Sequence, residues 1–125
     1  MYLIAAEAAW KTGGDAYSLL ETFADSRTNE GVTGAQLLAS YGINGNGDLN
    51  QDFFLDERAR EFPGEQMRWF DLKRSFTPAG FVARLQEYNF DTREHMDVHH
   101  YVRPIPQVQL DGITNKEEFR QNPGY

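Results

Sequence analysis

Residues 55–74 read LDERAREFPGEQMRWFDLKR, and whether this stretch runs as one helix decides the architecture of the chain. Two runs of acids and arginines flank Phe62-Pro63-Gly64, with Trp69-Phe70 just beyond. On an uninterrupted helix Leu55, Phe62, Trp69 and Phe76 share one side. Asp56 with Arg60, Glu65 with Arg68, and Asp71 with Arg74 then fall three or four residues apart, where each exposed pair stabilises by only about 0.3–0.5 kcal/mol. Pro63 opposes a straight run. It has no amide hydrogen to donate and its ring presses on the carbonyl of Ala59, at a cost of roughly 3 kcal/mol. A break or sharp kink is therefore expected at Phe62 to Gly64, giving two helices, with arginines bridging the corner to carboxylates of neighbouring helices.

The same residues could be read as an active site. A glycosidase-like site needs two carboxylates facing across a cleft, one of them held protonated. Here each acid has an Arg or Lys within helical reach, which suits ion pairing instead. The stretch reads as a framework.

Upstream, Tyr2 to Thr12 places Leu3, Ala6, Ala9 and Trp10 at helical spacing and stops at Gly13-Gly14. Asp15 is a credible N-cap for a second helix to about Asn29, with Tyr17, Leu20 and Phe23 on one face. The small alanines allow close approach, so residues 1–30 are expected to form a tetratricopeptide-like helical hairpin, although one copy cannot bury its outer face alone. Val32 to Tyr41 is expected as a short helix and Gly42 to Asn50 as a loop. Residues 51–90 hold the two helices of the opening stretch and a third that starts at Thr77-Pro78, Thr as N-cap and Pro at the first helical position. Residues 91–125 have no helical period from Arg93 to Gln107 and contain Pro104 and Pro106; one last turn at Lys116 to Gln121 is expected. The fold class is thus all-α, mainly helical, with an irregular, loop-rich C-terminal third, within a single domain over 1–125.

The totals bound the function. With 125 residues the chain is long enough for one core. A net charge of −7 argues against nucleic acid as the main partner, because phosphate binding needs a basic face. There is no cysteine, hence no disulfide frame and no thiol nucleophile. No apolar run approaches the roughly 18 residues that span a bilayer. MYLIAAEAAWKTGG has no basic region ahead of its apolar part and carries Glu7, so it is a poor signal peptide and reads as the inside of a helix, a piece of something longer.

Three constellations invite chemistry. Counting from Asn46, the residues Asp48, Asn50, Asp52 and Glu57 imitate a calcium loop, but Gln51 stands where an EF-hand needs glycine. A polar loop feeding an N-cap at Asn50 or Asp52 is the better reading. His95, Asp97 and His99 alternate and could hold a divalent metal, yet no fourth ligand is evident and surface residues are the simpler reading. Trp10 and Trp69 could stack on sugar rings but sit at core spacing; Tyr41, Tyr88 and Tyr101 lie near loops or ends and are better ligand candidates. No catalytic residue, cofactor site or metal site is assigned, and the residues that touch a ligand are not identified.

LDERAREFPGEQMRWFDLKR resembles the signature of the SusD/RagB family of outer-membrane nutrient-binding lipoproteins. Three further pieces agree in order: YLIAAEAAWKTG near the start, FVARLQEYN after the signature, and RPIPQVQLD with QNPGY at the end. The resemblance covers essentially the whole chain and corresponds to the C-terminal part of longer members. It implies a non-enzymatic, outward-facing outer-membrane protein that binds a glycan or other oligomeric nutrient and passes it to a SusC-like TonB-dependent transporter. It implies a lipid anchor upstream of these residues, no nucleic acid as partner, and ligand-stacking aromatics contributed largely by other regions. Composition alone leaves a rival, a tetratricopeptide-like protein-interaction module that recognises a peptide, and more remotely a carboxylate-based hydrolase. Exposed Tyr or Trp on a concave face favours sugar, Asn and Lys along a groove favour peptide, and a Glu pair free of arginine in an open cleft favours catalysis.

Overall fold

A computed structural model of the chain describes residues 1–91 and 93–125. Among them the chain forms seven α-helices, three 3-10 turns and no strand, so the fold is all-α as the sequence indicates. Two compact units emerge, Met1–Arg68 and Trp69–Tyr125.

The first unit opens with α1 (Tyr2–Thr12) and α2 (Ala16–Asp25), packed together as the expected hairpin. Gly13 N–H donates to the Trp10 carbonyl at 3.2 Å and Gly14 N–H to that of Ala9 at 2.8 Å. This paired ending satisfies carbonyls that the stopped helix leaves open. Asp15 starts α2 by accepting from the Ser18 amide at 3.2 Å. The helix ends at Asp25, short of the expected end near Asn29. There the Ser26 hydroxyl donates to the Phe23 carbonyl and Thr28 to that of Asp25, side-chain bonds that compete with helix continuation.

Next comes α3 (Gly34–Ser40), which begins in a capping box between Thr33 and Gln36. Its first residue touches α2: Gly34 N–H donates to Asp25 Oδ1. A β-carbon there would run into the Glu21 carbonyl oxygen and come within 2.7 Å of the Asp25 backbone nitrogen, so only glycine allows this approach. α4 (Gln51–Glu61) starts at Asn50, whose side chain accepts from the Phe53 amide at 2.9 Å. Leu3, Ala6, Leu20, Leu38, Phe53 and Phe54 form the centre of the core, and Ala6 is wholly buried, the close packing that the alanines of α1 anticipate.

α4 stops where Pro63 denies it a further donor. Phe62 N–H makes the last helical bond, to Arg58 at 3.0 Å, and the Phe62 carbonyl then accepts from Glu65 at 3.4 Å. With Pro63 and Gly64 at the centre and Gly64 at φ 82°, this is the pattern of a type II turn. The expected break therefore falls at its expected place. α5 (Arg68–Ser75) resumes beyond it.

In the second unit α6 (Pro78–Tyr88) is capped by the Thr77 side chain, with Pro78 at its start, as its sequence indicates. Phe81, fully buried, receives Trp69 and Tyr101 edge-on at 4.9 and 5.4 Å. Short 3-10 turns at Arg93–His95 and Val98–Tyr101 fill the segment without helical period. A helix the sequence pattern does not announce, α7 (Gln107–Gly112), follows Pro106. It is under two turns long, too short for an apolar period to show, and Gln107 steadies it by donating to Asp111 at 2.9 Å. The last turn starts at Asn115, whose carbonyl accepts from Glu118 and Phe119. Gln121 then uses its side-chain amide as a strand would use its backbone: Ile105 N–H donates to it at 2.8 Å and it donates to the Ile105 carbonyl at 2.9 Å. Asn122 donates to Arg103 and Tyr125 to Val102, so the RPIP and QNPGY pieces are stitched together.

Candidate functional site

Several acids and arginines of the opening stretch are paired, though not all as helical spacing suggests. Asp71 meets Arg74 at 3.2 Å, as expected. Arg60 turns to Glu57 instead of Asp56, with Nη2 at 2.6 Å and Nε at 3.0 Å from the same carboxylate oxygen. Arg68 reaches back past the turn to Asp56 at 3.9 Å, where spacing pointed to Glu65. The reason is the break itself, which takes Glu65 out of any helix and leaves Arg68 at the start of the next.

The calcium-like loop spends its polar groups on the backbone. Asn46 Oδ1 accepts from Ala16 at 3.0 Å and Tyr17 at 2.8 Å, capping α2 from thirty residues away. Asp48 accepts from the Asn44 amide and Asn50 caps α4. In the second unit Asp97 caps the turn Val98–Tyr101, accepting from Val98 at 2.6 Å, while its own amide donates to His100 Nδ1. The Val98 hydrogen bond first, and the neighbouring His99 next, hold the Asp97 carboxyl below its ordinary range. The His99 and His100 rings lie 3.9 Å apart, tilted by 37°, and Tyr125 stands edge-on to His99 at 5.1 Å. Among the described residues no group of three or more His, Asp or Glu is placed to hold a metal.

The aromatic candidates separate by environment. Trp10 is half-buried against Phe54, with ring centres 5.3 Å apart. Trp69 packs on Phe81 beneath the Arg103 guanidinium at 4.6 Å. Tyr101 donates its hydroxyl to the Lys73 carbonyl at 3.2 Å and lies under the Lys73 ammonium. Tyr88 is exposed and carries Arg84 over its ring. Tyr41 lines a cavity.

That cavity is a groove of about 400 Å³ formed by α2, α3 and α4, within the size range of small-ligand sites. Its floor is apolar, from Leu20, Leu38 and Phe53, with Phe23 half-buried beside them. Two ion pairs line it as well: Arg27 with Glu61, and Arg60 with Glu57. Each guanidinium also covers an aromatic ring, Arg27 over Phe23 and Arg60 over Tyr41, both at 5.0 Å. Gly34 holds α3 against α2 and so fixes one wall. The sequence offers Tyr41 as a candidate but not its partners. Arg27 and Glu61 lie 34 residues apart, and no local spacing links them. Both groove carboxylates, Glu57 and Glu61, are engaged by arginine.

No helix among the described residues is long and apolar enough to cross a membrane. No curated protein and no solved structure matches the chain. The model of the SusD family matches residues 1–125, the whole of it.

Proposed function

Because this chain belongs to the SusD family, we propose that it is the C-terminal part of a cell-surface glycan-binding lipoprotein that delivers oligosaccharides to a SusC-like TonB-dependent transporter. The observation that carries this reading is the family match over all 125 residues. The family is one of non-catalytic glycan-binding proteins associated with the outer membrane at the cell surface. In this reading the chain faces outward and acts without catalysis, and its membrane attachment is a lipid on a cysteine that these residues do not contain.

Two physical features support binding over chemistry. The carboxylates of the groove are ion-paired, and an exposed Tyr41 stands at an apolar concavity. The peptide-recognising alternative is not favoured, since neither Asn nor Lys lines that groove. The test of delivery is capture of the protein carrying these residues from mildly solubilised outer membranes. Co-purification of a TonB-dependent β-barrel is expected. Recovery free of any such barrel, under conditions that keep other membrane complexes whole, would count against it.

A further inference from the structure

We infer that the groove between α2, α3 and α4 is a subsite for a neutral saccharide unit, an assignment that rests on the glycan-binding reading above.

The chemistry of the walls selects the class. A sugar ring presents an apolar face of C–H groups and a girdle of adjacent hydroxyls. Phe53, Leu20 and Leu38 give an apolar floor, and Tyr41 keeps 48% of its surface exposed at the side of the groove. An aromatic ring with a hydroxyl handle serves both parts of a sugar. Around it stand two carboxylates that accept only and two guanidinium groups that donate only. Paired as Arg27–Glu61 and Arg60–Glu57, they place acceptors beside donors at a spacing that adjacent hydroxyls, each both donor and acceptor, can bridge.

The pairing also decides the charge. Two cations and two anions sum to zero, and each guanidinium already has its carboxylate. An acidic sugar could reach only the guanidinium N–H groups that Glu57 and Glu61 leave open, and it would sit beside those carboxylates, a like-charge contact that weakens binding. A neutral unit meets no such repulsion. Both arginines also sit over rings, Arg27 over Phe23 and Arg60 over Tyr41, contacts that restrain these polar groups before a ligand arrives. That lowers the ordering cost of binding. The groove's 400 Å³ suits one or two ring units, so affinity from this subsite alone is weak.

The experiment is amide chemical-shift titration of the 125-residue chain with maltotriose, xylotriose, mannotriose and, for charge, trigalacturonate. At least one neutral trisaccharide is expected to move the amides of Phe23, Leu38, Tyr41 and Phe53 saturably at millimolar concentration, with trigalacturonate moving them less. Tyr41→Ala should weaken that binding about three- to tenfold, and its own amide spectrum reports whether the fold persists. Arg60→Gln, which breaks one donor–acceptor pair without touching the floor, should weaken it as well. The inference is overturned if no neutral trisaccharide moves the groove amides, if trigalacturonate moves them more, or if both variants bind like the parent. Shifts confined to other residues would overturn the groove assignment and leave the glycan-binding reading standing; that reading falls separately, if the protein carrying these residues binds no glycan at all.

Discussion

Arg68 Nη1 donates to the backbone carbonyl of Leu55 at 2.7 Å, reaching thirteen residues back over the Pro63-Gly64 turn. The bond closes the break that Pro63 opens, and the 3.9 Å approach to Asp56 adds a looser charge contact. A charged donor on a carbonyl contributes about 1.5–3 kcal/mol when sheltered, and the partial exposure of Arg68 reduces it. Arg68→Met is expected to lower unfolding stability by about 1 kcal/mol, and Asp56→Ala by less than about 0.5 kcal/mol. Urea denaturation of both variants checks this; equal losses would mean that the ion pair, not the carbonyl bond, is what matters.

Asn46 supplies two hydrogen-bond acceptances to the start of α2 from a distant loop. Asn46→Ala should destabilise by about 1–2 kcal/mol, the range of a lost helix cap. Calcium should leave the thermal midpoint of the parent protein unmoved. A calcium-dependent rise in that midpoint would revive the metal reading of this loop.

Gly34→Ala puts a methyl group against the Glu21 carbonyl and the Asp25 backbone. Alanine gains up to about 1 kcal/mol of helix propensity over glycine, but overpacking at a backbone contact costs about 1–3 kcal/mol. Net destabilisation is expected, with the largest amide shifts along α3. A variant more stable than the parent would show that α3 and α2 do not meet as closely as described.

Asp15 carries a pH dependence whose sign is fixed by its partners. Hydrogen bonds from the Ser18 hydroxyl, at 2.6 Å, and then the Ser18 amide hold its carboxyl below the ordinary 3.8. A depressed folded-state value gives stability that is present above 3.8 and is lost as pH falls through the folded value. Asp15→Asn keeps a capping side chain but removes the titration. Its thermal midpoint should therefore fall less steeply than the parent's between about pH 5 and pH 3. Parallel acid limbs would contradict the assignment.

What the sequence disclosed follows from the range of each interaction. The break at Pro63, the caps at Asp15, Asn50 and Thr77, and the Gly13-Gly14 stop depend on neighbours within a few residues, and all stand where local rules place them. The end of α2 was set by hydroxyls competing for carbonyls, and α7 by a helix too short for a period, so local pattern misplaced the one and missed the other. The groove was out of reach. Arg27 meets Glu61, and Phe23 shares a cavity with Tyr41 and Phe53, only because α2, α3 and α4 pack together.

Gln121 presents both halves of its amide to the Ile105 backbone. Gln121→Leu keeps the bulk and loses both bonds, leaving a half-buried donor and acceptor unpaired at about 1–3 kcal/mol. Hydrogen exchange at the Ile105 amide should accelerate. Unchanged protection at Ile105 would contradict the role given to this side chain.

Glycan binding itself is tested most directly by titration calorimetry of the protein carrying residues 1–125 against starch, mannan, xylan and host-glycan oligosaccharides. Saturable heat with at least one of them is the expected result. No heat with any, from a protein shown to be folded, would contradict a glycan-binding role.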